Sequence, residues 1–302
     1  MKKPIDRRDF LKLAGLGGAV FASGLGNFAS AAGMAAKQGG DYDDFYFVQL
    51  SDTHWGYEGA PNPEAKNTLK KAVAAVNSLN EKPDFIVFTG DLTHTTDDPK
   101  ERRRRLAEFR DIVGELKVKN VRFIPGEHDA SLDRGEAYQE FFGKPYYTFD
   151  HKGVHFIALD NVSDPAANIG ETQLQWLAAD LKQLSKDAKI VVLTHRPLFD
   201  LYPQWDWATR DGAKAVELLM PYPNVTVFYG HIHQENHHMT GHIAHHSAKS
   251  LVFPLPAPGS QPKRTALPWD PAQPFKGLGF RSIEAEVKKA EYVLTELPVV
   301  KG

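Results

Sequence analysis

The chain has 302 residues, 42% hydrophobic and 25% charged, the makeup of one sizeable or two small globular domains and not of a disordered or fibrous protein. A formal net charge of −2 and a pI near 6.7 exclude the basic footprint that sequence-independent nucleic-acid binding requires, so no nucleic-acid polymer is expected as a partner. Cysteine is absent, which excludes disulfides, thiolate ligands and a cysteine nucleophile together; any metal must be held by nitrogen and oxygen, and 13 histidines are available for it.

In chain order, an export address comes first. Lys2, Lys3, Arg7 and Arg8 precede an apolar, glycine-rich stretch from Phe10 to Phe28, followed by Ala29-Ser30-Ala31; basic, apolar and small residues in that order form a secretory signal. Arg7-Arg8-Asp9-Phe10-Leu11-Lys12 resembles the twin-arginine signal. Glycines and polar residues interrupt the apolar stretch, making it less hydrophobic than the roughly 20-residue span of a membrane helix. Residues 1–31 are therefore read as a cleaved twin-arginine signal peptide, 32–43 as a polar linker and 44–302 as one catalytic domain. The segment 1–31 carries five lysines and arginines and two aspartates, so cleavage would take the net charge from −2 to −5. The resemblance implies folded export through the twin-arginine translocation machinery to the periplasm or the medium, often with a metal already loaded, and no stable membrane insertion afterwards. A chain without disulfides suits that route.

Phe45 to Leu50 is apolar and aromatic and ends at Ser51-Asp52, as a buried strand would. Glu64 to Leu79 reads as a helix with Leu69, Val73 and Val76 on one face, and Asp84 to Thr89 as a strand ending at Gly90-Asp91. A helix over about Lys100 to Leu116 leads to the strand Val121 to Ile124, which ends at Gly126-Glu127-His128-Asp129. Val154 to Leu159 and Ile190 to Leu193 continue the pattern around a helix from Glu171 to Leu184, and Val225 to Tyr229 ends at Gly230-His231-Ile232-His233. Beyond Gly241 helices disappear: a proline-rich loop from Pro254 to Pro274 precedes a hairpin of Phe280 to Val287 with Tyr292 to Leu297. Strand–helix alternation followed by β structure predicts an α/β sandwich with mixed sheets.

Open α/β sheets carry functional groups at the carboxyl ends of their strands. Five strand ends here present metal-capable side chains in order: Asp52 with His54, Asp91, Glu127 with His128 and Asp129, His195, and His231 with His233. Residues two apart in an extended segment share a side, so Asp52 with His54, and His231 with His233, can each close on one point. Glycine ahead of Asp91, Glu127 and His231 permits close backbone approach. The five blocks, spread over about residues 44 to 250, resemble the calcineurin-like metallophosphoesterase family, and Phe47-Val48-Gln49-Leu50-Ser51-Asp52-Thr53-His54 is most similar to its cyclic-nucleotide phosphodiesterase branch. The resemblance implies a four-layer α/β/β/α sandwich of two mixed β-sheets flanked by helices, with two metal ions. One would be held by Asp52, His54, Asp91 and His233, the other by Asp91, residue 127, His195 and His231, with Asp91 bridging. Such ligands suit iron, manganese or zinc. The implied activity is hydrolysis of a small-molecule phosphoester, diester or monoester, by in-line attack of a metal-bridging hydroxide, with His128 as general acid or charge stabiliser and Asp129 orienting its ring.

Position 127 departs from the family, which usually has asparagine there. With Asp52, Asp91, Glu127 and a hydroxide, two divalent ions would leave the centre formally neutral. The expected consequence is either a weaker pull on anionic substrate or a trivalent iron, giving a mixed-valence or heterodinuclear pair. Two functions stay open: a hydrolase, and a metal-containing but catalytically quiet envelope binding or accessory protein in which Glu127 blocks the substrate position. The presence of His128 and Asp129 favours the hydrolase, because a binding protein needs no positioned proton donor. Trp55, Tyr57, Trp205 and Trp207 could line a cleft or anchor packing. Arg196 could meet a phosphate or make a structural ion pair, and Arg102 to Arg105 reads as a solvated helix face. His237, His238, His242, His245 and His246 match no family position and are expected at exposed or structural strand positions.

Overall fold

Alternation along the strands builds two faces on each sheet. The computed structural model describes residues 43–299; the expected signal peptide and all but the last residue of the expected linker lie outside the described residues. The first sheet has the order β11(Glu291–Pro298), β10(Gly279–Glu286), β1(Phe45–Leu50), β2(Phe85–Thr89), β3(Val121–Ile124), with β1, β2 and β3 parallel and the C-terminal hairpin antiparallel. The second has the order β4(Tyr147–His151), β5(Val154–Ala158), β6(Lys189–Leu193), β7(Asn224–Tyr229), β9(Ile243–Ser247), β8(Asn236–Thr240), with β5, β6, β7 and β9 parallel.

Phe45 and Phe47 face the second sheet, while Tyr46, Val48 and Leu50 pack on α1(Ala65–Asn77) and α2(Pro99–Val113). Two short helices, α3(Glu127–Ala130) and α4(Glu136–Phe142), follow β3. On the second sheet Val191 and Leu193 face inward, and Ile190 and Val192 face outward onto α5(Glu171–Leu181) and α6(Gly212–Leu219). The layers are therefore α/β/β/α, as expected. Between the sheets Phe47 stacks on Phe85 at 4.7 Å and meets Phe156 and Phe228 edge-on at 5.7 and 5.8 Å. A hole at such a position, as in Phe→Ala, costs about 3–5 kcal/mol.

Helix α2 starts where Asp98 accepts the Lys100 N–H and Pro99 presets the first turn. Its basic run is only partly the solvated face expected: Arg103 pairs with Glu140, Arg104 with Glu101 and Glu108, and Arg105 with Glu101, but Arg102 is buried against Asp133 at 2.8 Å. The elements that periodicity missed are α3, α4, β4, α6, a 3-10 turn at Pro203–Trp205 and strands β8 and β9 of one hairpin, each of eight residues or fewer. Histidines occupy much of that hairpin and mask its apolar alternation. Among the described residues no helix is long and apolar enough to cross a membrane.

Candidate metal centre

The carboxyl ends of β1, β2, β3, β6 and β7 meet at one place. Asp52, His54, Asp91 and His233 bring ligand atoms within 4.8 Å of one another, and Glu127, His195 and His231 do the same. Asp91 lies between these clusters, its Oδ2 3.3 Å from His54 Nε2 and 3.4 Å from His195 Nε2. Glu127 reaches in with both oxygens, Oε1 2.8 Å from His231 Nδ1 and Oε2 2.8 Å from His195 Nε2. All seven positions picked from the sequence are thus brought together.

Extended geometry is not what closes the two i, i+2 pairs. Strands β1 and β7 stop at Leu50 and Tyr229, and Asp52, His54, Asp91, His231 and His233 all have φ between 43° and 67°. Left-handed backbone at residues other than glycine costs about 1–3 kcal/mol each and persists only where the surroundings enforce it. Here the Asp52 N–H donates to Gly90 O at 3.1 Å, the His54 N–H to Asp91 O at 2.9 Å, and the His231 N–H to the Asp52 carboxylate at 3.1 Å. Glycine serves close approach, as expected: a Cβ on Gly90 would lie 2.2 Å from His195 Nδ1, and one on Gly126 2.1 Å from the backbone nitrogen of Asp91.

The rings show what the centre is built to hold. His195 Nδ1–H donates to Thr89 O at 2.7 Å, His233 Nδ1–H to Phe253 O at 2.8 Å and His231 Nε2–H to Asp206 O at 3.3 Å. A carbonyl only accepts, so each neutral ring turns a bare lone pair inward. His233 Nε2 then faces His54 Nε2 at 3.2 Å, and Glu127 Oε2, His195 Nε2 and His231 Nδ1 are buried without a hydrogen-bond partner. Lone pairs and carboxylates converging in this way repel unless a cation sits among them, and the nitrogen and oxygen donors fit metal ions. Burial drives two of the groups towards neutrality, pushing Asp52 up to about 8 and His233 down to about 3, whereas at Glu127 burial is outweighed by the neighbouring histidines, which hold its carboxyl well below the usual carboxylate range. Burial disfavours a charged His195 too, but Asp91 and Glu127 outweigh it and hold that ring well above its ordinary value, a proton doing part of a cation's work.

His128 borders the centre, its ring 4.5 Å from that of His54. Asp129 does not orient it. The carboxylate instead accepts from the N–H groups of Leu92, Thr93 and Gly126 at 2.8 to 2.9 Å and from the Thr93 hydroxyl at 3.0 Å, tying the loop after β2 to α3. The reason is local: residues 127–130 form a helical turn, not a strand end, which aims Asp129 back at its own N-terminal loop. Thr95 takes the orienting role, its backbone N–H donating to His128 Nδ1 at 3.2 Å with its hydroxyl 2.7 Å from the same atom.

Trp55 donates its indole N–H to Glu108 at 2.9 Å and packs on the core, and Trp205 and Trp207 are buried, so these three are anchors. Arg196 is structural, buried and paired with Asp206 at 2.7 Å. His237 and His238 lie in β8 and His245 and His246 in β9, the strand positions expected, whereas His242 sits in the turn between them and donates to Tyr222 O at 2.8 Å. Sequence reasoning missed His94, Thr95 and Phe253. His94 and Thr95 follow Asp91 by three and four residues, which was the available signal; Phe253 had none.

A family model described as calcineurin-like phosphoesterase matches residues 45–235. The serine/threonine-protein phosphatase CPPED1 of Danio rerio is 26% identical over 217 residues, covering 63% of this chain and 70% of that protein. A probable cyclic nucleotide phosphodiesterase of Rhodococcus erythropolis is 28% identical over 202 residues, covering 62% of this chain and 64% of that protein. Curated relatives of this kind are matched over between 56% and 71% of their length. A solved structure, a dimetal phosphatase from Danio rerio, shares the fold with a TM-score of 0.57 at 14% identity, over 85% of this chain and 97% of that one.

Proposed function

We propose that this chain, which belongs to the calcineurin-like phosphoesterase family and has relatives named as phosphatases and phosphodiesterases, is a metal-dependent phosphoester hydrolase that holds two metal ions and cleaves a small anionic phosphoester outside the cytoplasm. The observation that carries this reading is the pair of lone-pair clusters with the Asp91 carboxylate between them. Asp52, His54, Asp91 and His233 would hold one ion, and Asp91, Glu127, His195 and His231 the other, drawn from iron, manganese or zinc. Such a pair, when bound, neutralises phosphoryl charge and acidifies water. His128 accepts from the Thr95 N–H through Nδ1, so its neutral ring carries the proton on Nε2 and offers it to a phosphoryl or leaving-group oxygen. Tyr57 and Phe253, 5.1 Å apart beside His54 and His233, form a shelf for the organic part of the ester. A catalytically quiet protein would have Glu127 project into the substrate's place; both its oxygens turn to His195 and His231 instead.

Glu127 provides the test. In Glu127→Asn one negative charge leaves the centre, so the manganese-loaded variant should match or exceed the wild type on an anionic phosphodiester, while the wild type does best with iron. Loss of metal and activity under every loading would make Glu127 a ligand without neutral substitute. Equal metal content and activity of both proteins across iron, manganese and zinc would place Glu127 outside the ligand set.

The location rests on the first residues. Replacing Arg7 and Arg8 together by Lys is expected to strand the protein in the cytoplasm on fractionation, because paired arginine is the recognised feature; efficient export of the double variant would remove the twin-arginine assignment.

A further inference from the structure

His94 is absent from the two clusters on either side of Asp91, but its ring nitrogens lie with those of His54 and His128 in a further group within 4.8 Å of one another. To offer a bare Nε2 to a cation placed between it, Asp91 Oδ2 at 3.3 Å and His233 Nε2 at 3.2 Å, His54 must carry its proton on Nδ1. The atom facing that proton is His94 Nδ1, 3.3 Å away. Attraction requires His94 to accept there, which puts the proton of its own neutral ring on Nε2. The other three cluster histidines give their outer proton to a backbone carbonyl; His54 gives its to an imidazole.

His94 is held for this task from several sides. Its N–H donates to Trp55 O at 2.9 Å, and its carbonyl accepts from Arg105 Nη1 at 2.9 Å. One face lies on the His128 ring, 5.0 Å between centroids at 25°, and Tyr57 meets it edge-on at 5.0 Å. A carboxylate could also have accepted the His54 proton, but it would add a fourth negative group to Asp52, Asp91 and Glu127. A neutral imidazole fixes the tautomer without that charge.

We infer that His94 is a positioning residue with two outputs: its Nδ1 sets the tautomer of His54, a ligand in the Asp52 cluster, and its face sets the plane of His128. The inference rests on the two-cation reading above, and the two can fail separately.

Two variants separate the outputs. His94→Asn keeps an acceptor near the Nδ1 position and removes the ring; His94→Phe keeps the ring and removes the acceptor. Calorimetric titration of the metal-stripped protein with manganese is expected to show one of two sites weakened about 10–100-fold in His94→Phe and neither weakened by more than about threefold in His94→Asn, the range typical of an outer partner of a ligating histidine. Turnover of an alkyl phosphodiester at saturating manganese should fall in His94→Asn although its metals stay bound. Should His94→Phe not fold, nitrogen-15 spectra of the zinc-loaded wild type decide the point, because His54 must then show a protonated Nδ1. A bare His54 Nδ1, or a folded His94→Phe that binds manganese like the wild type at both sites, overturns the role of His94. A wild type that binds no manganese, iron or zinc overturns the two-cation reading, and the inference with it.

Discussion

Asp91→Asn is expected to lose most of both metals and to reduce turnover by on the order of 10³-fold or more, beyond the 10–100-fold typical of outer partners. The substitution keeps shape and removes charge, so the effect reads electrostatics and ligation and not packing. Asp91 Oδ2 lies within 3.4 Å of ring nitrogens from both clusters, those of His54 and His195, while Oδ1 accepts the His128 N–H at 3.0 Å. An amide in its place must either turn its NH₂ towards that N–H or turn it into the cation positions; each orientation opposes a donor or a positive charge. Asp52→Asn removes one carboxylate from one cluster only, and elemental analysis should show it keeping more metal than Asp91→Asn. Equal and mild losses in the two variants would argue against a bridging role for Asp91.

His128→Ala should retain both metals and lose about 10² to 10⁴ in turnover, the usual contribution of a positioned proton donor. The substrate decides whether the loss is visible. A nitrophenolate leaves with little assistance, so an alkyl diester is needed, and unchanged turnover on it would dismiss His128 from the role. Because the Thr95 backbone N–H occupies Nδ1 at 3.2 Å, the ring is kept as the Nε2–H tautomer, a donor of a hydrogen bond to a developing oxyanion. Asp129 acts at one remove, through the three N–H groups it binds between the β2 loop and α3.

The strands were legible because apolar runs bounded by glycine and acidic residues have few other conformations. Phe45 to Leu50 and Val121 to Ile124 match the observed β1 and β3 end to end, and Ile190 to Leu193 lies within β6. Short elements with polar faces were not: α6 spans eight residues, and β8 carries His237 and His238, whose polarity hides a strand pattern that only pairing with β9 reveals. The candidate ligand set was readable for a chemical reason. Carboxylates and imidazoles repeated after glycine at successive strand ends are a poor choice for anything but a charge at the sheet's carboxyl edge.

What the sequence determined by itself was therefore composition-level and local: nitrogen and oxygen ligation in a chain without cysteine, the order of strands and long helices, the seven candidate ligands, and the departure at Glu127. Tertiary structure decided what depends on direction. The left-handed backbone at five candidate ligands arises from hydrogen bonds between the loops that follow different strands, such as Asp52 N–H to Gly90 O, and no run of residue types encodes it. The same holds for Asp129 serving a loop instead of His128, for Arg196 closing on Asp206, and for His94 meeting His54 across 40 residues of chain. A side chain's chemistry belongs to its own position, whereas its partner is set by where the sheets bring other strand ends.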